Sequence, residues 1–301
     1  MPASAVLLIR PAAFGFNTET AASNPLQHRP SEAAVAVAEQ ARAELDTLAT
    51  LLDHAGVQVL VVDDDPVPPR PDAVFPNNWL STYHDGTVVL HAMATPNRRA
   101  ERRPEILRQL DTRFCISTCI DLSDGELYGA FLEGTGSVVL DRRARVAYAA
   151  RSPRTTTAGL RRYAEAVAYE SFSFEADDRG TIPYHTNILL SIDDRFAVLS
   201  DHVVTPETRR ALLDRLARPV LRLDAQEHTA FAANQLTLAG RAGPVVVLST
   251  GALAALRPES RRFLEAFGSL LPVSIPTIER VGGGSARCMI AEVFIAPRVV
   301  L

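Results

Sequence analysis

The sequence predicts an α/β fold, a ring of five repeated ββαβ units. Three observations predict it. Hairpin patterns recur from anchors at Asn78, Gly136, Asn187 and Asn234, about 50 residues apart, and Cys288 holds the equivalent place one interval later. A helical period and then a further strand pattern follow most of these hairpins. The polar end units that an open array needs are not recognisable, which favours closure of the ring.

The elements follow in order. Ala5–Ile9 is an apolar run that predicts a buried strand, and Arg10–Asn17 a loop. Ser31–His54 reads as a helix. Ser31 is its candidate cap, Ala34, Val37, Ala38, Ala41, Leu45, Leu48 and Leu52 keep the period, and Gly56 closes it. Val57–Val62 is a strand. Asp63–Pro71 carries too many prolines for a sheet interior and predicts an exposed connection. Four hairpins turn at Asp85-Gly86, at 141–144, at Asp193-Asp194 and at 240–243. Helices are expected over Thr155–Glu170, over Thr205–Arg218 with Thr205 as cap and Pro206 in the first turn, and over Thr250–Phe267 with a break near Pro258. Single strands are expected at Cys115–Asp121, Ser171–Phe174, Val220–Leu223 and Val273–Ile278. A last strand, Cys288–Ile295, follows the glycine-rich stretch Val281–Arg287. No linker divides the chain, so residues 1–301 are expected to form one domain.

The bulk numbers limit the function. The chain has 301 residues, 47% in the hydrophobic set, a net charge of −4 and a pI near 6.0. No basic excess is present, which argues against nucleic acid as a partner. No run approaches the roughly 18 apolar residues of a membrane span. The N-terminus lacks the positive segment of a signal peptide. Three cysteines, Cys115, Cys119 and Cys288, are too few for a disulfide framework, and a reducing cytoplasm is expected. Cys115 and Cys119 have no histidine near them in sequence and read as buried structural cysteines; no metal site or cofactor is expected. The mixed-charge run Arg98–Arg103 reads as a solvated helix face, the alternative being a lid that lends an Arg to a pocket. His84, His91 and His228 read as ordinary histidines. A homo-oligomer stays open.

The glycines at 282–284 let the backbone turn tightly ahead of Cys288, a place suited to a nucleophile, although an arbitrary cysteine there is more often core. Four strings fall one per unit: Pro71-Asp-Ala-Val-Phe-Pro-Asn-Asn-Trp79, Leu132-Glu-Gly-Thr-Gly-Ser137, Tyr184-His-Thr-Asn187 and Gly282-Gly-Gly-Ser-Ala-Arg-Cys288. In this order they resemble the pentein fold of the arginine deiminase and amidinotransferase superfamily. With Asn97–Arg103 and Ser152–Thr155, the chain is most similar to the bacterial citrulline-utilisation hydrolases (CtlX type).

The resemblance implies a cofactor-free cysteine hydrolase of a small ureido or guanidino amino acid. Cys288 would attack the planar carbon, His185 would act as general acid and then base, and Glu133 would orient His185 or bind substrate nitrogens. Asp72 would be a second substrate-binding carboxylate, Phe75 an apolar wall and Asn78 a neutral hydrogen-bonding group. Arg154 matches the position that grips the substrate carboxylate in relatives. Arg10 and Arg287 are weaker candidates. Asn187 is a departure, because arginine deiminases carry an acidic residue there. A neutral group at that point suits a neutral ureido substrate and implies citrulline, giving ornithine, ammonia and carbon dioxide. The alternatives are an arginine or methylarginine hydrolase, an amidinotransferase, or a non-enzymatic pentein that binds a ribosomal subunit. A papain-like enzyme is disfavoured, since the order here is Glu133, His185, Cys288.

Overall fold

The structure, a computed structural model, describes residues 1–298. Fifteen strands among these residues form five three-stranded sheets. Strands β1 (Ala5–Arg10) and β2 (Gln58–Asp63) run parallel and share a sheet with the last strand. The second sheet holds β3 (Leu80–Thr82), β4 (Thr87–Leu90) and β5 (Thr118–Asp121). The third holds β6 (Val139–Asp141), β7 (Val146–Ala150) and β8 (Glu170–Phe174). The fourth holds β9 (Leu190–Ile192), β10 (Ala197–Leu199) and β11 (Val220–Arg222). The fifth holds β12 (Leu236–Gly240), β13 (Gly243–Ser249) and β14 (Ser269–Val273). β15 (Ala291–Val293) returns to pair antiparallel with β1, with Ala5 opposite Val293. Each sheet thus has one antiparallel and one parallel neighbour pair, as a hairpin plus a strand delivered by a helical crossover requires. The predicted five-unit α/β architecture is the observed one, with one unit assembled from both ends of the chain.

The helices seal the outer faces. Ala34–His54 buries Val37, Ala41, Leu45, Leu48 and Leu52 of the predicted stripe, while Ala34 is exposed and Ala38 half-buried. Its start differs from the expectation: Ala33, not Ser31, stands at the cap, with no side-chain cap bond. Thr156 caps Thr157–Val167 by accepting from the Gly159 amide, and Thr205 caps Pro206–Leu216 by accepting from Thr208. The expected break near Pro258 separates Thr250–Ala255 from Pro258–Glu265. No helix among the described residues is long and apolar enough to cross a membrane.

Other expectations are corrected. The inner strands do not begin at the repeat anchors. Short helical turns stand there instead: Pro76–Asn78, Gly134–Ser137, Thr186–Ile188 and Ala286–Met289 precede β3, β6, β9 and β15. Cys115 and Cys119 are exposed, not buried: Cys119 lies in β5, an edge strand, and Cys115 in the segment before it. The proline-rich connection is not wholly exposed: Asp64 and Arg70 form a buried ion pair at 2.8 Å. Arg98 is buried, so 98–103 is not a solvated face. His91, by contrast, is an ordinary core histidine as expected, with Nε2 at 2.8 Å from the Ser81 hydroxyl.

One close approach fixes the third unit. A Cβ on Gly159 would lie 2.2 Å from the Phe131 carbonyl oxygen. That oxygen accepts from the Thr156 amide at 2.9 Å and its hydroxyl at 3.1 Å. Alanine is the better helix former by about 1 kcal/mol. We nevertheless expect Gly159→Ala to destabilise the fold by about 1–3 kcal/mol, the usual cost of overpacking. Urea unfolding reads this directly, and a stabilised variant would show the contact to be slack.

Candidate active site

The four helical turns converge. Gly134–Ser137 packs against both Pro76–Asn78 and Thr186–Ile188, and Pro76–Asn78 packs against Ala286–Met289. A turn ahead of each inner strand therefore directs side chains from four units to one point. A small, tight cavity lies there, lined by Asp72, Phe75, Asn78, Arg98, Arg154, His185 and Cys288, among others. Six of the eight residues singled out from the sequence line it. The other two, Glu133 and Asn187, are buried directly behind it and bond to His185 and Cys288.

Cys288 sits in the last turn, its amide bonded to the Ser285 carbonyl at 2.9 Å. Its Sγ accepts from Asn234 Nδ2 at 3.2 Å and lies 3.6 Å from Asn187 Nδ2. Asn234 Nδ2 also donates to the Asn187 carbonyl at 3.0 Å, which fixes the amide's orientation. Burial pushes the thiol above its ordinary pKa, with the Ser285, Asn234 and Asn187 contacts opposing. The resting group is a thiol. The glycines before it serve close packing. A Cβ on Gly282 or Gly284 would lie within about 3 Å of the Phe75 ring, and Gly283 holds a φ of 65°. Phe75 is thus a wall formed against the glycine loop.

His185 donates from Nε2 to Glu133 Oε2 at 2.9 Å. With a carboxylate accepting there, the neutral ring carries its proton on Nε2 and keeps Nδ1 as the acceptor. Nδ1 makes no hydrogen bond among the described residues, and only a glycine fits at 136, where a Cβ would lie 2.6 Å from it. Burial depresses the His185 pKa to about 4 despite Glu133, with Arg154 and Arg98 adding to the depression. Glu133 also accepts from the Ala94 amide at 3.1 Å and lies 3.5 Å from both Arg98 and Arg154. Burial alone would raise its pKa. Arg154, the His185 bond and Arg98 hold it well below the usual carboxylate range.

Asp72 Oδ2 accepts from Asn17 Nδ2 at 2.8 Å and faces Arg98 at 3.6 Å, while Oδ1 is buried without a partner. Asn78 accepts from Arg98 Nη1 at 2.8 Å and donates to Asn77 at 2.9 Å. Arg154 Nε donates to the Ser23 hydroxyl at 2.9 Å and Nη2 to the Thr20 carbonyl at 3.2 Å. Two of its donor positions are therefore engaged by the segment 17–28, which lies across the site. Arg10 is elsewhere, paired with Asp46 and Asp63. Arg287 lines a different cleft.

Four participants were missed by the sequence reading: Asn17, Arg98, Asn234 and Tyr184. Tyr184 donates to the Gly283 carbonyl. Asn234 was legible as a repeat anchor. Arg98 was legible only as the minority reading of its charged run. Asn17 gave no signal, because its role depends on a loop crossing from another unit. Among the described residues no cluster of three or more His, Cys, Asp or Glu could hold a metal ion.

A family model described as N,N dimethylarginine dimethylhydrolase, eukaryotic, matches residues 10–295. No curated protein sequence matches. Among solved structures, the N-terminal domain of ArgZ, an arginine dihydrolase of cyanobacteria, superposes with a TM-score of 0.75 at 16% identity, covering 97% of this chain and 99% of that one. Unliganded AgrE gives 0.76 at 18% identity, over 99% of this chain and 40% of that one. DDAH from Pseudomonas aeruginosa, a cysteine-to-serine mutant complexed with citrulline, gives 0.68 at 15%, over 97% and 99%. At these identities the structural likeness establishes the pentein-type fold. By the family match over nearly its whole length, the chain belongs to the N,N dimethylarginine dimethylhydrolase family, within the arginine-deiminase-like superfamily, and is a hydrolase of C–N bonds other than peptide bonds.

Proposed function

We propose that this protein hydrolyses the ureido group of citrulline to ornithine, ammonia and carbon dioxide, as a CtlX-type enzyme. One observation carries the choice of a neutral substrate. The sulfur is flanked by two carboxamides, Asn187 and Asn234, and no carboxylate is among its hydrogen-bond partners. Neutral groups beside the reacting carbon offer a cation no counter-charge there and suit a neutral ureido group.

The chemistry begins from a thiol and a neutral imidazole. His185 Nδ1 takes the Cys288 proton as the sulfur attacks the ureido carbon, and Glu133 stabilises the imidazolium across the 2.9 Å bond. The imidazolium then protonates the departing amine. A water molecule, deprotonated by the neutral ring, hydrolyses the thio-adduct, regenerating the thiol and releasing a carbamic acid, whose remaining C–N bond then breaks to give carbon dioxide and the second amine. One water is consumed overall.

A guanidino substrate is the second reading, favoured by two observations. Asp72 Oδ1 is buried without a partner, and a guanidinium N–H would satisfy it. A bound cation would also lower the raised thiol pKa. The family name points to this reading as well.

Ammonia and ornithine release from citrulline, arginine and methylated arginines separates the two. We expect turnover of citrulline, reduced roughly 10³-fold or more in Cys288→Ala. Ammonia from arginine with none from citrulline would end the citrulline reading. Asn187→Asp should move the arginine-to-citrulline ratio of kcat/KM upward by about tenfold, since it places a carboxylate beside the reacting group. An unchanged ratio would remove Asn187 from the specificity argument. The pH profile is a third check. Neutral His185 is required, and its pKa is depressed to about 4. Activity should hold on acidification past pH 6 and fall only as pH drops through about 4. An acid limb near pH 6.5 would mean that His185 titrates as an ordinary histidine.

A further inference from the structure

A second cleft opens past the ends of β6 and β9 that lie away from the substrate cavity. Asp141 ends β6, Asp193 and Asp194 follow β9, Thr237 lies in β12 and Glu292 in β15. Arg287, the neighbour of Cys288, reaches this cleft instead of the substrate. It is buried and makes no side-chain hydrogen bond or ion pair among the described residues, and its Nε is enclosed without a partner. Thr237 Oγ1 is buried and unpartnered in the same lining. A buried guanidinium and an unused hydroxyl in one lining are costly unless something negative satisfies them.

The other charges in the cleft are accounted for. Asp141 is paired with Arg218, Asp193 with Arg195 and Asp194 with the N-terminal amine. Arg142 lies 3.7 Å over the Phe294 ring and has no ion pair among the described residues. Glu292 has none either. Two unpaired guanidiniums against one unpaired carboxylate leave a single positive charge in excess. That balance fits a singly charged oxyanion better than a phosphate dianion.

We propose that this cleft binds a small monocarboxylate through Arg287 and Thr237, with Arg142 alongside, at a site separate from the substrate cavity.

The test is ligand-dependent thermal stabilisation of the full chain at fixed ionic strength, with acetate and inorganic phosphate as probes. Acetate should raise the midpoint saturably. Arg287→Met should weaken its apparent affinity by about tenfold or more, the effect of losing one charge-assisted bond, and Thr237→Val should weaken it less. Arg154→Met, in the substrate cavity, should leave the acetate response in place. A response lost in Arg154→Met and kept in Arg287→Met would overturn the proposal, as would no saturable response in the wild type. Saturation by phosphate at lower concentration than acetate would overturn the assignment to a carboxylate. Should Arg287→Met fail to fold, Thr237→Val and Arg154→Met still decide between the two sites.

Discussion

The centre of this molecule is organised by one charge kept away from water. Glu133 is completely buried, and burying an ion costs several kcal/mol unless partners offset it. Its partners come from widely separated stretches: the Ala94 amide and Arg98 after β4, Arg154 after β7, and His185 before β9. Each arrives on a segment fixed by its own sheet. The carboxylate therefore ties units together, and the units in turn fix which nitrogen of His185 holds the proton. Structural and chemical requirements coincide in this one side chain. Arg98 extends the network outward, through a bidentate pair with Glu101 at 2.8 and 2.9 Å and a bond to Asn78.

Much of this was legible in the sequence, for identifiable reasons. The repeat survives because each unit must bury one hairpin and one crossover strand, and that requirement writes alternating apolar runs at a regular interval. Cys288, His185 and Glu133 were legible because each lies near a repeat anchor, Glu133 and His185 just before the turn that opens an inner strand and Cys288 within its own. The turns before the inner strands were not legible. A single helical turn has no period to detect, and Asn78, Asn187 and Cys288 read as strand starts. Arg98 was obscured by its neighbours. In Asn97-Arg-Arg-Ala-Glu-Arg-Arg103 several side chains stay at or near the surface, while Arg98 turns inward to meet Glu101 three residues on. Composition could not separate them. Cys115 and Cys119 failed in the opposite sense, since apolar neighbours suggested burial on a strand whose outer edge is unpaired.

Closing the first sheet with β15 has a temporal consequence. β1 and β2 precede every other described strand in synthesis, and they pair with each other in parallel. The other edge of β1 waits for Ala291–Val293, the last strand among the described residues. Cys288 sits three residues before that strand, and its sulfur contacts come from Asn187 and Asn234, already made by then. The thiol therefore emerges after the segments that contact it, and until Ala291–Val293 follows, one edge of β1 stays without its partner strand.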